Sequence, residues 1–221
     1  KGYDGNTNAT LTSANFSLTG VVTGESFTVT QTSGSYNSKD VATANTVTAS
    51  LAPGDFSPGL GTSASNYTFP TSASGAGHIS KANATVNVTA YTVTYDAQPH
   101  TATYTLSGVN GENGATVGIV DVSNTTHTDA GMYTTDYWFF TGTANYSDIP
   151  NTTITDVINK KDATWNTDFN TKTYGDDDPN PLTTGSGSGF IGSDNVTATY
   201  SRAPGESVAG NPYHITATLS A

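Results

Sequence analysis

The sequence predicts an all-β protein made of small β-sandwich modules that follow one another in an elongated tandem array. Three observations predict this fold: a composition rich in β-branched residues, apolar residues that alternate with polar ones, and a repeat of nearly constant length. Threonine alone occupies 42 of 221 positions. Its side chain is already restricted at χ1, so it loses less in a strand than in a helix.

Alternation with a period of two runs through most of the chain, as expected for strands with one buried face. Examples are Val86 and Val88 in TVNVT, and the runs ESFTVTQT, NTVTASL, DYWFF, NTTITDVI, NVTATY and HITATL. Turn signals such as Pro-Gly and Asn-Gly separate these runs. Short strands at spacings of roughly 8 to 12 residues favour small sandwiches. The Gly-rich stretch 185–192 has no phosphate-loop signature and is expected to form a flexible loop.

A repeat divides the chain into three segments. Lys81, Ala84 and Tyr95 match Lys160, Ala163 and Tyr174, each 79 residues later. A third, partial copy begins near Tyr3, so one tyrosine marks each segment. We therefore expect modules at 1–80, 81–159 and 160–221, with the first strand of the first module and the last strand of the third missing, as in an excerpt of a longer array.

Each module of about 80 residues can bury only a small core, so aromatic anchors are expected in every one. The candidates in the first module are Phe16, Phe27, Tyr67 and Phe69; in the second, Tyr95, Tyr133, Trp138, Phe139 and Phe140; and in the third, Trp165, Tyr174, Phe190 and Tyr200. In the second module Asp129-Ala130-Gly131-Met132-Tyr133 resembles the D-x-G-x-Y turn of immunoglobulin-like domains, in which the tyrosine hydroxyl bonds to its own loop. Ala209-Gly210-Asn211-Pro212-Tyr213 is a looser version.

Charge and composition exclude several functions. Seven Lys and Arg stand against 18 Asp and Glu, for a formal charge of −11, and the cations are scattered, which argues against nucleic acid as a partner. There is no apolar run of membrane-spanning length. The chain contains no cysteine, so no disulfide, thiolate nucleophile or cysteine-bound zinc is expected. The motifs H-E-x-x-H, G-K-[ST] and G-x-S-x-G are all absent, so we expect no enzymatic activity.

The best candidate for an ion site is the acidic run Asp176, Asp177 and Asp178, because Ca²⁺ binds clustered oxygen ligands in loops. The alternative is a solvated turn ended by Pro179. Calcium is thus the one candidate cofactor, and a site without cofactor is the alternative.

The stretch KGYDGNTNATL, followed by TGVVTGESFTVTQTSGSYNSKDVATANTVTASL, resembles the YDG repeat of large bacterial adhesins and filamentous haemagglutinin-like proteins. ATVNVTAYTVTYDAQPHTATYTLSGV, ATWNTDFNTKTYGDDDPNPL and GFIGSDNVTATYSRAPGES resemble the MBG repeats that accompany it. This resemblance implies a secreted or cell-surface, non-catalytic stalk segment, whose partners are the neighbouring repeats of its own chain. Two alternatives remain: a filament subunit joined to copies of itself by strand complementation, and an adhesive module that binds glycans, a host surface or calcium.

Overall fold

The computed structural model describes residues 1–220 and is all-β, with many small sheets. Within this range the strands are β1 (Asn8–Thr10), β2 (Phe27–Val29), β3 (Ser33–Tyr36), β4 (Thr46–Ser50), β5 (Phe56–Pro58), β6 (Ser72–Ala76), β7 (Thr85–Thr89), β8 (Thr92–Thr94), β9 (Thr103–Ser107), β10 (Gly118–Asp121), β11 (Gly131–Tyr133), β12 (Tyr137–Gly142), β13 (Ile149–Thr153), β14 (Asp156–Asn159), β15 (Thr164–Thr167), β16 (Gly185–Ser188), β17 (Thr197–Arg202) and β18 (Ile215–Ser220).

The helical segments of the described residues are single 3₁₀ turns of three residues each. They cover Ser13–Asn15, Pro53–Asp55, Ala64–Asn66, Val109–Gly111, Gly114–Thr116, Ser123–Thr125, Gly192–Asp194 and Val208–Gly210. None of the described helices is long and apolar enough to cross a membrane. The predicted all-β class is therefore confirmed.

The alternating runs form strands as predicted. In β7, Val86 and Val88 are half-buried while the threonines and the asparagine between them are exposed. The same alternation continues in β17 and β18, which pair antiparallel over six residues. In β12, by contrast, DYWFF shows no alternation, because Tyr137, Trp138 and Phe139 are all half-buried and Phe140 is buried. The run NTTITDVI is divided between β13 and β14. The period-two pattern therefore identified the inward face in some of the strands only.

The expectation of a flexible loop at 185–192 is wrong for its first half. Gly185–Ser188 is β16, which pairs antiparallel with β15. A Cβ on Gly185 would lie 2.7 Å from Trp165 Nε1, and one on Gly187 would lie 2.7 Å from Phe190 Cδ2. The glycines here allow aromatic side chains to approach the strand closely, which is a use of glycine within sheets.

The described chain divides into two compact units. Unit 1 comprises Lys1–Thr89, Tyr104–Val122 and Tyr137–Thr152, and unit 2 comprises Ala90–Thr103, Ser123–Asp136 and Thr153–Ala221. The central segment 81–159 thus contributes residues to both units.

Unit 1 contains an antiparallel sheet of order β1-β3-β4-β6, a sheet of order β10-β12-β13, and the pairs β2-β5 and β7-β9. Its larger hydrophobic cluster combines residues from distant parts of the sequence, among them Tyr3, Ile79, Val117, Phe140 and Tyr146. We expected each of the three segments to bury an aromatic cluster of its own. Here residues of the first and second segments instead share one core.

A second cluster in unit 1 lies entirely within the first segment, around Val29, Leu51 and Phe56. Phe69 stacks on Phe56 with ring centroids 4.2 Å apart, and Phe27 meets Phe69 edge-on at 5.0 Å. Such aromatic pairs stabilise by about 0.5–1.5 kcal/mol beyond the area they bury. The predicted anchoring role of Phe27 and Phe69 is confirmed.

Unit 2 contains the sheet of order β11-β14-β8 and the pairs β15-β16 and β17-β18. The pairing of β14 with β8 is parallel. Its buried residues include polar ones: Thr125, Asp136, Asp156 and Thr183. Burial of polar groups is costly unless they are hydrogen-bonded, so this unit depends on specific polar contacts.

The aromatic anchors predicted beyond the first segment differ in burial: Tyr95, Tyr133, Phe139 and Tyr200 are half-buried. Phe140 is 1% exposed and lies in the larger core, and Trp138 packs against that core. Trp165 and Phe190 are half-buried, with ring centroids 6.2 Å apart. The prediction for Tyr174 is wrong, since its side chain is 71% exposed.

Candidate functional site

Unit 2 contains a cavity of about 290 Å³ within residues 169–215, hereafter called the cleft. Phe169 and Tyr174 line it although they are 84% and 71% exposed, and so does Val208, which is 72% exposed. Large apolar side chains exposed together around one concavity are typical of binding surfaces. The cleft is therefore the candidate binding site of this unit.

Four charged side chains on the wall of the cleft form a salt-bridge cluster, defined here as Lys172, Asp178, Arg202 and Glu206. Lys172 Nζ lies 3.0 Å from Asp178 Oδ1 and 2.7 Å from Glu206 Oε2. Arg202 Nη2 lies 3.1 Å from Asp178 Oδ2 and 2.6 Å from Glu206 Oε1. Every carboxylate oxygen of the cluster thus contacts one cation, and the formal charges cancel.

The two cations change the acidity of their partners. Hydrogen bonds from Lys172 and then Arg202 hold the pKa values of Asp178 and Glu206 below the ordinary carboxyl values. Both carboxyls are therefore ionised at neutral pH, and neither is suited to act as a general acid there.

Arg202 also contacts an aromatic residue of the cleft, Tyr213. Its guanidinium carbon lies 5.0 Å from the centroid of the Tyr213 ring, within cation–π range. The Tyr213 hydroxyl donates a hydrogen bond to Ser207 O at 2.8 Å, which confirms the loop anchor predicted from the looser turn motif. Gly205 has φ +135°, and a Cβ there would lie 2.3 Å from Tyr213 Cε1, so this position requires glycine.

In the acidic run predicted to bind calcium, Asp178 and the backbone of Asp176 contact cationic side chains of the protein. Both carboxylate oxygens of Asp178 accept from Lys172 and Arg202, and Lys172 Nζ also donates to the backbone oxygen of Asp176 at 3.0 Å. Over residues 1–220, no group of three or more His, Cys, Asp or Glu is placed to hold a metal ion. Calcium binding at Asp176, Asp177 and Asp178 stays a prediction.

A second polar cluster lies inside unit 2 and is formed by Tyr91, His127, Asp136 and Asp156. Asp156 is completely buried, and its Oδ1 accepts a hydrogen bond from the backbone N–H of Tyr91 at 2.9 Å while its Oδ2 has no partner. Asp136 is 4% exposed and its Oδ2 lies 2.8 Å from His127 Nε2. Of the two buried carboxyls, Asp136 is thus paired with a histidine, whereas Asp156 is not.

Burial raises the pKa of Asp156, and the neighbouring Asp136 carboxyl raises it further. Burial also raises the pKa of Tyr91 to about 12. Both groups therefore favour their neutral forms, as expected where water is excluded. Neither the cleft nor the smaller cavity beside Tyr95 is lined by this cluster, so we assign it a role in the interior of the unit.

The predicted D-x-G-x-Y turn is confirmed in the same region. The Tyr133 hydroxyl donates to Asp129 O at 2.5 Å, and the Tyr133 ring stacks on His127 at a centroid distance of 3.5 Å. The turn therefore holds in place the histidine that pairs with Asp136.

Sequence reasoning missed the partner of the recurring tyrosine in unit 1. Tyr3 is 4% exposed and donates to Glu112 Oε1 at 2.7 Å, and fully buried Tyr146 donates to Glu112 Oε2 at 2.5 Å. Glu112 binds two tyrosines that lie 109 and 34 positions away from it in the sequence. The only available signal was the rarity of glutamate in a chain with 11% charged residues.

Comparison with known families identifies two parts of the chain. Residues 1–75 match the model of the YDG domain, and residues 163–221 match that of the MBG domain of the YGX type. No curated protein and no solved structure is found to match the chain. The cleft and the salt-bridge cluster lie within the second match. The chain therefore contains a YDG domain at its beginning and an MBG domain at its end.

Proposed function

We propose that the chain is a non-catalytic spacer segment of a secreted or cell-surface repeat protein of the adhesin type. In the parent protein, small immunoglobulin-like sandwiches would follow one another in tandem and carry a binding region away from the cell. The YDG and MBG domains support a repeat or adhesive module. The observation that carries the proposal is the shared core of unit 1.

That core joins the YDG domain to the segment that follows it. Tyr3 of the YDG domain and Tyr146 of the central segment meet edge-on with ring centroids 5.6 Å apart, and both bind Glu112. A second link is the hydrogen bond from the Val41 N–H to Asn145 Oδ1 at 2.9 Å. Separation of the two segments would expose buried aromatic surface and remove the Tyr3 hydrogen bond from Glu112, so we expect the junction to resist bending and pulling.

The experiment replaces residues 1–221 in the parent protein by an unrelated, rigid β-module segment of similar length. Antibody labelling of intact cells first establishes that both proteins are displayed at the surface. Adhesion of the cells to host tissue or matrix is then measured. A spacer tolerates the replacement, so adhesion is expected to be retained, whereas a flexible Gly/Ser linker of equal length serves as the matched control and is expected to reduce it.

Loss of adhesion with the rigid replacement, at unchanged surface display, would refute the spacer proposal in favour of a segment that itself binds a surface. Labelling of permeabilised cells only would refute the proposed localisation. Sedimentation of the isolated chain distinguishes the filament alternative, because a spacer is expected to show no concentration-dependent growth into large assemblies.

A further inference from the structure

We propose that the cleft of the MBG domain binds a neutral saccharide. The inference goes beyond the spacer role and rests on different residues. It combines three properties of the cleft: its exposed aromatic rings, its internally neutralised charges and its neutral polar lining.

The first property is the exposure of apolar surface. Phe169 and Tyr174 present most of their rings to solvent at the cleft, and neither belongs to a hydrophobic core of the described chain. An exposed aromatic ring offers a flat apolar face with a negative π surface. The C–H face of a pyranose ring is apolar and slightly positive, so it complements such a ring.

The second property disfavours ionic ligands. Each oxygen of Asp178 and Glu206 contacts a cation, and the remaining donors of Arg202 bind the backbone oxygens of Ala203 and Gly205 at 3.2 and 2.6 Å. An anionic or cationic ligand would compete with these salt bridges, because the cluster offers it no unpaired charge. Charge complementarity therefore favours a ligand without net charge.

The third property is the chemistry of the remaining lining. The lining of the cleft also includes the hydroxyl and amide groups of Thr171, Thr173, Ser207 and Asn211. These groups both donate and accept hydrogen bonds, as sugar hydroxyls do. A cavity of about 290 Å³ lies at the small end of ligand sites, which span about 300–1,000 Å³. The cleft thus suits the terminal part of a saccharide whose remainder extends into solvent.

The test applies the complete 221-residue chain to an array of neutral and anionic glycans, and then titrates the best neutral glycan by calorimetry at low and high salt. The Phe169→Ala and Tyr174→Ala variants remove the exposed rings without altering a core. Tyr104→Ala is the matched control, since Tyr104 is 46% exposed in β9 and lies outside the MBG domain. Circular dichroism confirms that all three variants are folded.

We expect a neutral glycan to bind with little dependence on salt, because no ion pair forms on binding. Each cleft variant should weaken the affinity about tenfold, while the control leaves it unchanged. Absence of any neutral glycan hit overturns the proposal. Exclusive binding of anionic glycans, or equal affinity of the cleft variants and the control, would overturn it as well. None of these results would affect the spacer proposal, which rests on unit 1.

Discussion

Removal of the Tyr3 hydroxyl tests the junction on which the proposed spacer role depends. The substitution Tyr3→Phe keeps the ring, which is 4% exposed in the larger core of unit 1, and deletes the hydrogen bond of 2.7 Å to Glu112. The matched substitution Tyr146→Phe deletes two contacts, because the Tyr146 hydroxyl donates to Glu112 and accepts from the Val109 N–H at 2.9 Å.

The expected magnitudes follow from these contacts. A hydrogen bond to a charged group contributes about 1.5–3 kcal/mol. Glu112 keeps one tyrosine partner in either variant, so Tyr3→Phe should lower the free energy of unfolding by about 1.5 kcal/mol, the low end of this range. Tyr146→Phe also leaves the Val109 N–H without its partner, and we expect a loss of about 3 kcal/mol.

Urea denaturation followed by tryptophan fluorescence measures these losses. The chain has two tryptophans. Trp138 packs against the core of unit 1, whereas Trp165 is in unit 2. A Trp165→Phe background therefore makes the fluorescence report on unit 1 alone. The substitution Glu112→Gln, alone and combined with Tyr3→Phe, completes a double-mutant cycle for the pair.

The reasoning is refuted if Tyr3→Phe changes the free energy of unfolding by less than about 0.5 kcal/mol, the size typical of a surface substitution. It is equally refuted if the cycle shows no coupling between Tyr3 and Glu112. Either result would mean that the buried hydroxyl and carboxylate do not stabilise the junction.

Three further predictions concern other parts of the molecule. Gly108→Ala would place a Cβ 2.2 Å from Tyr146 Oη, so it should lower the free energy of unfolding, measured by urea denaturation, by about 1–3 kcal/mol. In the control Gly54→Ala the new Cβ meets nothing within 4 Å, and the loss should be far smaller. Equal losses would contradict the packing around Tyr146. The substitution Asp156→Asn mimics the protonated carboxyl beside Asp136. Because the pKa of Asp156 is raised in the folded state, the wild type loses stability as the pH rises above the pKa that this carboxyl has in the unfolded chain. Thermal unfolding should therefore show the stability advantage of the variant growing from pH 4 to pH 7, and a constant difference would contradict this. In the salt-bridge cluster the pKa values of both carboxyls are lowered. The cluster therefore stabilises the fold above the ordinary carboxyl pKa, and this stabilisation is lost as the pH falls through the lowered values. Amide hydrogen exchange in the MBG domain should accelerate on acidification relative to the intrinsic exchange rate, and unchanged protection would contradict a stabilising role of the cluster.

Local features were predictable because they depend on neighbouring residues. The strands around Val86 and Val88 follow from alternation alone, and the anchors at Tyr133 and Tyr213 follow from turn motifs only a few residues long. In each case the partner lies within six positions in the sequence or is defined by the period of the strand. Strand β16 was missed because its glycines favour no regular structure until Trp165 and Phe190 pack against them.

The candidate site was only partly predictable. The acidic run that suggested calcium contains Asp178, but its partner Arg202 is 24 residues away, and no local pattern indicates that they meet. Tyr174 has the same repeat position as Tyr95, yet it is exposed at the cleft, whereas Tyr95 is half-buried with its hydroxyl 2.7 Å from Asp194 Oδ1. A shared position in a repeat therefore does not specify a shared environment.

By itself, the sequence determined the all-β class, several of the strands, the loop anchors and the presence of YDG and MBG sequence patterns, since all of these are properties of short segments. Only the tertiary structure decided that Tyr3 and Tyr146 share a core around Glu112, that the cations of the MBG domain neutralise its carboxylates, and that a cleft opens beside them. These features join residues that are distant in sequence, and such contacts are selected by the total burial and pairing energy of the folded chain rather than by local propensity.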